Sequence, residues 1–237
     1  MSKKIKFKEA CDGIEETVGF PKPSSKYIPD WFKSIPAVRH VNGQVRTGRA
    51  SSTVKACLPF LDAMSTGYTI SLGQDIEVQD KDNTKNLFWT TNRDPFSQFL
   101  EADYPETRSE GMPVPHGYDS NIWRVNTGII PIVDSGCSIL VTHPFNRYDL
   151  PYLVLSGVID ADKAHRTLAA NIYIRKDFVG IIDKDTPLLQ IFPFKRENWK
   201  KEDTLHNKKE NLINDWKLLS TIERSYLKNF WSKKTYQ

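Results

Sequence analysis

The chain of 237 residues is 39% hydrophobic and 26% charged, with a mean hydropathy of −0.50, which excludes a disordered or membrane-embedded composition. No apolar run approaches the ~20 residues of a spanning helix, and the lysine-rich opening Met1–Lys8 leads into Glu9 and Asp12 with no apolar segment, so neither an anchor nor a secretory signal is expected. Cys11, Cys57 and Cys137 are odd in number and far apart, which excludes a disulfide scaffold and any CxxC metal or redox pair.

The net charge of +4 sits at one end. Residues 195–237 hold 11 Lys+Arg and 6 Asp+Glu, leaving residues 1–194 with 22 against 23. A basic tail on a neutral body reads as a solvated helix face, and without a basic stripe carrying interleaved aromatics, nucleic acid is not an expected partner.

Prolines at 21, 23, 29 and 36 forbid a long helix near the start, yet Tyr27, Ile28, Trp31, Phe32 and Ile35 require burial. Extended chain with one short helical turn, laid over a core as a strap, meets both demands. Residues 51–60 and 66–78 alternate apolar and polar positions, Leu87-Phe-Trp-Thr-Thr is a further strand candidate, and the proline-bearing polar stretch 94–120 reads as a long excursion or lid. From Trp123 to Phe192 short apolar runs follow one another across turns such as Asp134-Ser-Gly136, with no helix-length segment between them. Such spacing predicts a mainly β antiparallel sandwich or barrel, with Ile129, Ile139, Leu153, Ile159, Ile172, Ile181 and Ile191 mostly buried.

After residue 194 the period changes. Asn207 can cap a helix with Glu210 at its third position, and Leu212, Trp216, Leu219, Tyr226 and Phe230 recur near 3.6-residue spacing. One helix to Trp231 is expected, burying Trp216, Leu219 and Tyr226 against the β domain or another subunit. The organisation is therefore a strap over 1–50, a β domain over 51–194, and a basic tail with a C-terminal amphipathic helix over 195–237.

Phosphate-loop, dinucleotide, HExxH and GxSxG signatures are absent, and the five histidines form no HxH or HxxxH pair. The segment Gly157-Val-Ile-Asp-Ala-Asp162 places two carboxylates two residues apart at the end of a strand, facing the same way. Such a pair can hold a water or a divalent cation, or simply bond to turn amides. A metal face using His143 and Asp160 would need partners from separate strands.

Read onward, Gly157–Asp162, Leu168-Ala-Ala-Asn-Ile-Tyr-Ile and Phe178–Pro193, with Asn126-Thr-Gly-Ile-Ile-Pro-Ile upstream, resemble in order the motifs of dUTPase-type β-barrels over about residues 65–193. The resemblance places Asp160 where that family holds its water-activating carboxylate and Gln190 where it contacts phosphate. Elsewhere the pattern departs: Thr69 stands in place of the metal-side Asp, Pro144-Phe-Asn-Arg147 in place of the Arg-Ser motif, Lys163 in place of the stacking Tyr, and no glycine follows Gly180 to form a closing arm. A second resemblance, carried by Tyr27-Ile-Pro-Asp-Trp-Phe-Lys, Val54–Ala63, Thr142–Arg147 and Thr186–Arg196, spans nearly the whole chain and is to an uncharacterised family of tailed phages and bacteria.

These readings lead to an expected nucleotide or similar small anionic ligand, bound without the usual phosphate motifs by His143, Arg147, Asp160 and Gln190. Arg147 is expected to contact phosphate, with His143 and Asp160 on base or sugar. The protein is expected to be a homo-oligomer in the cytoplasm, that of the host if phage-encoded. The rival readings are a phage structural or assembly protein, placed in the virion, and a β-barrel metalloenzyme.

Overall fold

The computed structural model describes residues 3–38, 40, 41, 44, 45, 53–90, 100–103, 111–203, 208–219 and 225–236. Strand β1 (Ile5–Glu9) is followed by α1 (Ile14–Thr17), β2 (Lys22–Pro23), a 3-10 turn (Ser24–Tyr27) and α2 (Asp30–Ser34). The paired β3 (His40–Val41) and β4 (Gln44–Val45) precede α3 (Leu58–Ser65), β5 (Tyr68–Ser71), β6 (Ile76–Lys81), β7 (Thr84–Trp89) and β8 (Leu100–Asp103). Then come β9 (Tyr118–Asn126), β10 (Ile129–Val133), β11 (Cys137–Thr142), β12 (Tyr152–Val154), β13 (Gly157–Ile159) and β14 (Ala169–Arg175). β15 (Gly180–Ile182), β16 (Pro187–Lys195), α4 (Lys208–Leu219) and α5 (Ser225–Asn229) complete the order.

The fold is mainly β, and every ladder among the described strands is antiparallel, as short apolar runs without crossover helices require. The sheets run β13-β11-β16-β5-β2, β12-β14-β9-β8 and β15-β6-β7, with β1 on β10 and β3 on β4. Among the described residues none closes into a barrel. Their inward faces share one core that includes Ile70, Ile76, Val78, Ile129, Ile139, Ile172, Leu189 and Ile191, each fully buried side chain contributing about 1.5–3 kcal/mol.

Three expected core positions differ. Leu153 and Ile159 are half-buried, and Ile181 is 55% exposed. Strand parity is the cause: Tyr152 and Val154 point inward beside Leu153, and Ile182 takes the buried side of β15. Ile159 lies on β13, an edge strand whose partner Ile139 fills the core. Of the stretch 94–120, β8 pairs with β9, and β9 itself begins at Tyr118. Residues 91–99 and 104–110, on which the lid reading depends, lie outside the described residues.

Within the span expected to be one helix the structure describes α4 and α5; Asn207 and residues 220–224 lie outside the described residues. Trp216 is 71% exposed and Tyr226 41%, so neither is buried against the β domain; the side chain of Leu219 is not among those described. The two helices lie next to each other, and Tyr226 stacks on Phe230 at 6.2 Å. What reaches the β domain is the segment beyond them: the Trp231 indole N–H donates to Asp62 Oδ2 at 2.9 Å, and Tyr236 meets Tyr68 edge-on at 5.7 Å.

Candidate functional site

Strand β11 separates the four sequence-selected residues into two groups. At its start, Cys137 pairs with Lys195 and Ile139 with Ile159, which brings Asp160 beside Ser138. At its end, Thr142 pairs with Gln190, next to the 143–149 loop. Four residue steps of extended chain, roughly 13 Å, separate Ser138 from Thr142, so His143, Arg147 and Gln190 share one neighbourhood and Asp160 another.

At the Asp160 end the cation is Arg196, brought there because β16 runs antiparallel to β11. Its Nη1 donates to the Cys137 carbonyl at 2.7 Å, Ser138 Oγ at 2.9 Å, Asp160 Oδ1 at 3.1 Å and Asp162 Oδ1 at 2.9 Å. Ser138 Oγ–H also donates to Asp160 Oδ1 at 2.6 Å, and the Gly136 N–H to Asp162 Oδ2 at 2.9 Å. The Arg196 hydrogen bond, with the Gly136 amide, holds the Asp162 carboxyl well below the usual carboxylate range, and the Ser138 hydroxyl with Arg196 lowers Asp160. The paired carboxylates are thus already engaged by one internal guanidinium, which offsets one of their two charges. His143 stands at the other end of the strand, and among the described residues no three His, Cys, Asp or Glu side chains group as a metal set. Within the described residues of one chain, His143 and Asp160 do not come together.

At the other end Gln190 is 1% exposed and fully engaged. Its Oε1 accepts the Phe145 N–H at 2.8 Å, and Nε2 donates to the carbonyls of Ala63 at 2.9 Å and Thr66 at 2.7 Å. Arg147 grips Asp149 through Nε at 2.9 Å and Nη2 at 2.8 Å, and reaches the Tyr27 carbonyl at 3.3 Å. The Trp31 indole N–H completes this corner on Asp149 at 3.2 Å. Burial alone would raise Asp149, but the hydrogen bonds and charge of Arg147 hold it below its ordinary value. Arg147 and Asp149 thereby fasten the segment around α2 to the β domain.

His143 bridges the Arg147 carbonyl through Nε2 at 3.0 Å, while Nδ1 faces the Val154 N–H at 3.4 Å. These partners require the neutral Nε2–H form, since an N–H cannot accept. Burial pushes the His143 pKa below 6.5, outweighing its bond to the Arg147 carbonyl. The unfolded chain therefore takes up a proton near pH 6.5 that the fold resists, and stability present above that pH is lost as pH falls through and below it. Melting temperature is expected to decline between pH 7.5 and 5.5, ahead of any carboxylate protonation, and His143→Gln should flatten the decline. Equal pH slopes for the two proteins would refute this assignment.

A concave surface of ≈ 680 Å³ opens on the Lys195 side of the β11 start. Its wall includes Lys3, Lys4, Lys6, Lys195, Tyr68, Tyr236 and Cys137, and among the described residues no carboxylate lines it. Pairing of β1 with β10 brings the N-terminal lysines there, Ile5 opposite Val133. Two acids stand at the margin: Asp134 accepts the Lys4 backbone N–H at 3.0 Å, and Glu197 accepts Lys195 Nζ at 2.5 Å, which raises the Lys195 pKa. Burial pushes the Tyr236 phenol up as well, keeping it a neutral donor. Tyr68 is wedged edge-on between Phe7 at 5.4 Å and Tyr236 at 5.7 Å.

No protein-family model matches the chain, and no curated protein matches it significantly. Among solved structures it is similar to a mutant dUTPase of Staphylococcus bacteriophage 80alpha, with 8% identity, a TM-score of 0.36, and coverage of 86% of this chain and 98% of that one. A mutant dUTPase from phage phi11 of S. aureus matches at 13% identity and a TM-score of 0.27, over 55% of this chain and 97% of that one. The 80alpha dUTPase bound to dUpNHpp matches at 14% identity and 0.26, over 56% and 89%. At these TM-scores no residue role transfers to this chain.

Sequence motifs did not single out the lysine-lined cleft, because its walls come from residues 3–6, 68, 133, 137, 193–195 and 235–236. The one available signal was the four lysines among the first eight residues together with the basic end of the chain.

Proposed function

We propose that the protein binds a small anionic ligand of the nucleotide class in the lysine-lined cleft. One observation carries the reading: Lys3, Lys4 and Lys6, with Lys195 beside them on Glu197, border a concave surface that has no lining carboxylate among the described residues and has Tyr68 and Tyr236 on its wall. Ammonium groups favour phosphate oxygens, and neutral phenols supply hydrogen-bond donors and ring surface for a base. The ligand thus lies away from Gln190, whose amide is spent on backbone groups, and from Arg147, whose guanidinium is spent on Asp149.

Calorimetry with ATP, dUTP and inorganic tripolyphosphate tests this. Binding should weaken steeply with added salt, and a nucleotide should bind more tightly than tripolyphosphate. Lys195→Gln should weaken it about 3- to 10-fold, or roughly 0.6–1.4 kcal/mol, with an unchanged melting temperature. If none of the three probes binds at low salt, the reading fails. The exposed Leu212, Ile213 and Trp216 on α4 would then favour the assembly-protein alternative.

A further inference from the structure

The cleft is closed on one side by residues from the far end of the chain, and those residues are held by few contacts. The Asp62 carboxylate, on α3, accepts both the Trp231 indole N–H at 2.9 Å and Lys234 Nζ at 2.6 Å. The Lys234 ammonium also lies 5.3 Å from the centroid of the Trp231 ring. Two residues further on, Tyr236 meets Tyr68, and Thr235 and Tyr236 form part of the cleft wall. Among the described residues, 231–236 join no strand ladder, and residues 232–235 are exposed. The segment's one described backbone bond, Trp231 N–H to the Tyr226 carbonyl at 2.9 Å, runs back to α5, so side chains tie it to the cleft, and such a segment opens at far lower cost than the sheets beneath it.

We propose that residues 231–236 are a releasable wall of the cleft and that Asp62 is the positioning residue that holds it shut. The regulatory meaning rests on the anion-binding reading, while the latch itself is a property of the fold. One carboxylate serves both donors, so removing its charge loosens both at once and frees Tyr236 from Tyr68. Cys137, buried on the cleft wall, then becomes accessible. A ligand that touches the closed wall favours the closed state by its differential affinity and slows opening.

The test uses the full chain, with Asp62→Asn as the main variant and Trp231→Phe as a second that removes only the indole donor. Alkylation of Cys137 by neutral iodoacetamide and amide exchange of residues 231–236 are followed by mass spectrometry, with exposed Cys11 as an internal reference. Both rates are expected to rise about tenfold or more in Asp62→Asn, and less in Trp231→Phe, while Cys11 labels as in wild type and the melting temperature shifts little. ATP is expected to protect Cys137 in wild type and to bind Asp62→Asn about tenfold more weakly. Unchanged Cys137 labelling and tail exchange in Asp62→Asn overturn the latch, whatever ATP does. If ATP fails to bind wild type yet Asp62→Asn labels faster, the ligand assignment falls and the latch stands. Faster tail exchange with unchanged Cys137 labelling also overturns the proposal, because the segment would then not cover the cleft.

Discussion

Gln190→Ala is expected to lower the free energy of unfolding by about 3–5 kcal/mol, measured by chemical denaturation. The side chain is 1% exposed, and its amide uses both its oxygen and its nitrogen. Oxygen takes the Phe145 N–H from the loop after β11, and nitrogen serves two carbonyls at the end of α3, Ala63 and Thr66. Truncation leaves three backbone groups without that partner, each costing about 1–3 kcal/mol if water does not replace it, and opens a void where the amide sat. Gln190→Glu should also destabilise at neutral pH, since a carboxylate still accepts from Phe145 but presents a second oxygen to two carbonyls. A residue whose duty is ligand contact would behave otherwise, with binding lost and stability kept. A change below about 1 kcal/mol in Gln190→Ala would therefore reject the structural role.

This residue illustrates how far the sequence could be read. Its place, third in the strand run Leu-Leu-Gln-Ile-Phe, was legible from the apolar residues around it, and so was the antiparallel class, because runs like Ile129-Ile-Pro-Ile-Val alternate buried and half-buried positions in the structure. Its partners were not legible. Ala63 and Thr66 lie more than 120 residues away, and the contact depends on α3 ending beside β16. The acidic pair shows the same division. Asp160 and Asp162 do face one way, and both meet Arg196, but nothing in Gly-Val-Ile-Asp-Ala-Asp reveals that the register of β11 on β16 delivers a guanidinium 34 to 36 residues downstream.

Periodicity in the C-terminal region located helix but not its cover, for a related reason. Spacing near 3.6 identifies a helical stripe without identifying what covers it, and here Leu212, Ile213 and Trp216 of α4 face outward. The cleft was the least legible feature. Its lysines sit on segments that meet only once β1 has joined β10 and β16 has joined β11, so no window of sequence contains the site.

Gly67→Ala is expected to be as damaging as the loss of Gln190, about 3–5 kcal/mol, and for a different reason. Gly67 adopts φ +79°, where an L side chain costs roughly 1–2 kcal/mol, and an added Cβ would lie 2.1 Å from the Ile191 carbonyl oxygen and 3.1 Å from its carbon. That carbonyl belongs to β16, which is held on one side by β11 and on the other by β5, so it cannot retreat without breaking a ladder. The Gly67 carbonyl also accepts the Ser24 N–H at 3.0 Å, so a shift of residue 67 disturbs β2 as well. Gly136 provides the control. It has φ +80° but open space around its Cβ position, so Gly136→Ala should show the backbone cost alone, about 1–2 kcal/mol. Denaturant unfolding of the two variants measures the difference, and amide exchange along β5 and β16 should locate the damage in Gly67→Ala. Because Tyr68 is the next residue and lines the cleft, this variant should also bind nucleotide more weakly than Gly136→Ala does. Equal stabilities would mean that β16 yields to the added methyl group, and that the junction of β5 with β16 is not the rigid edge on which the cleft wall depends.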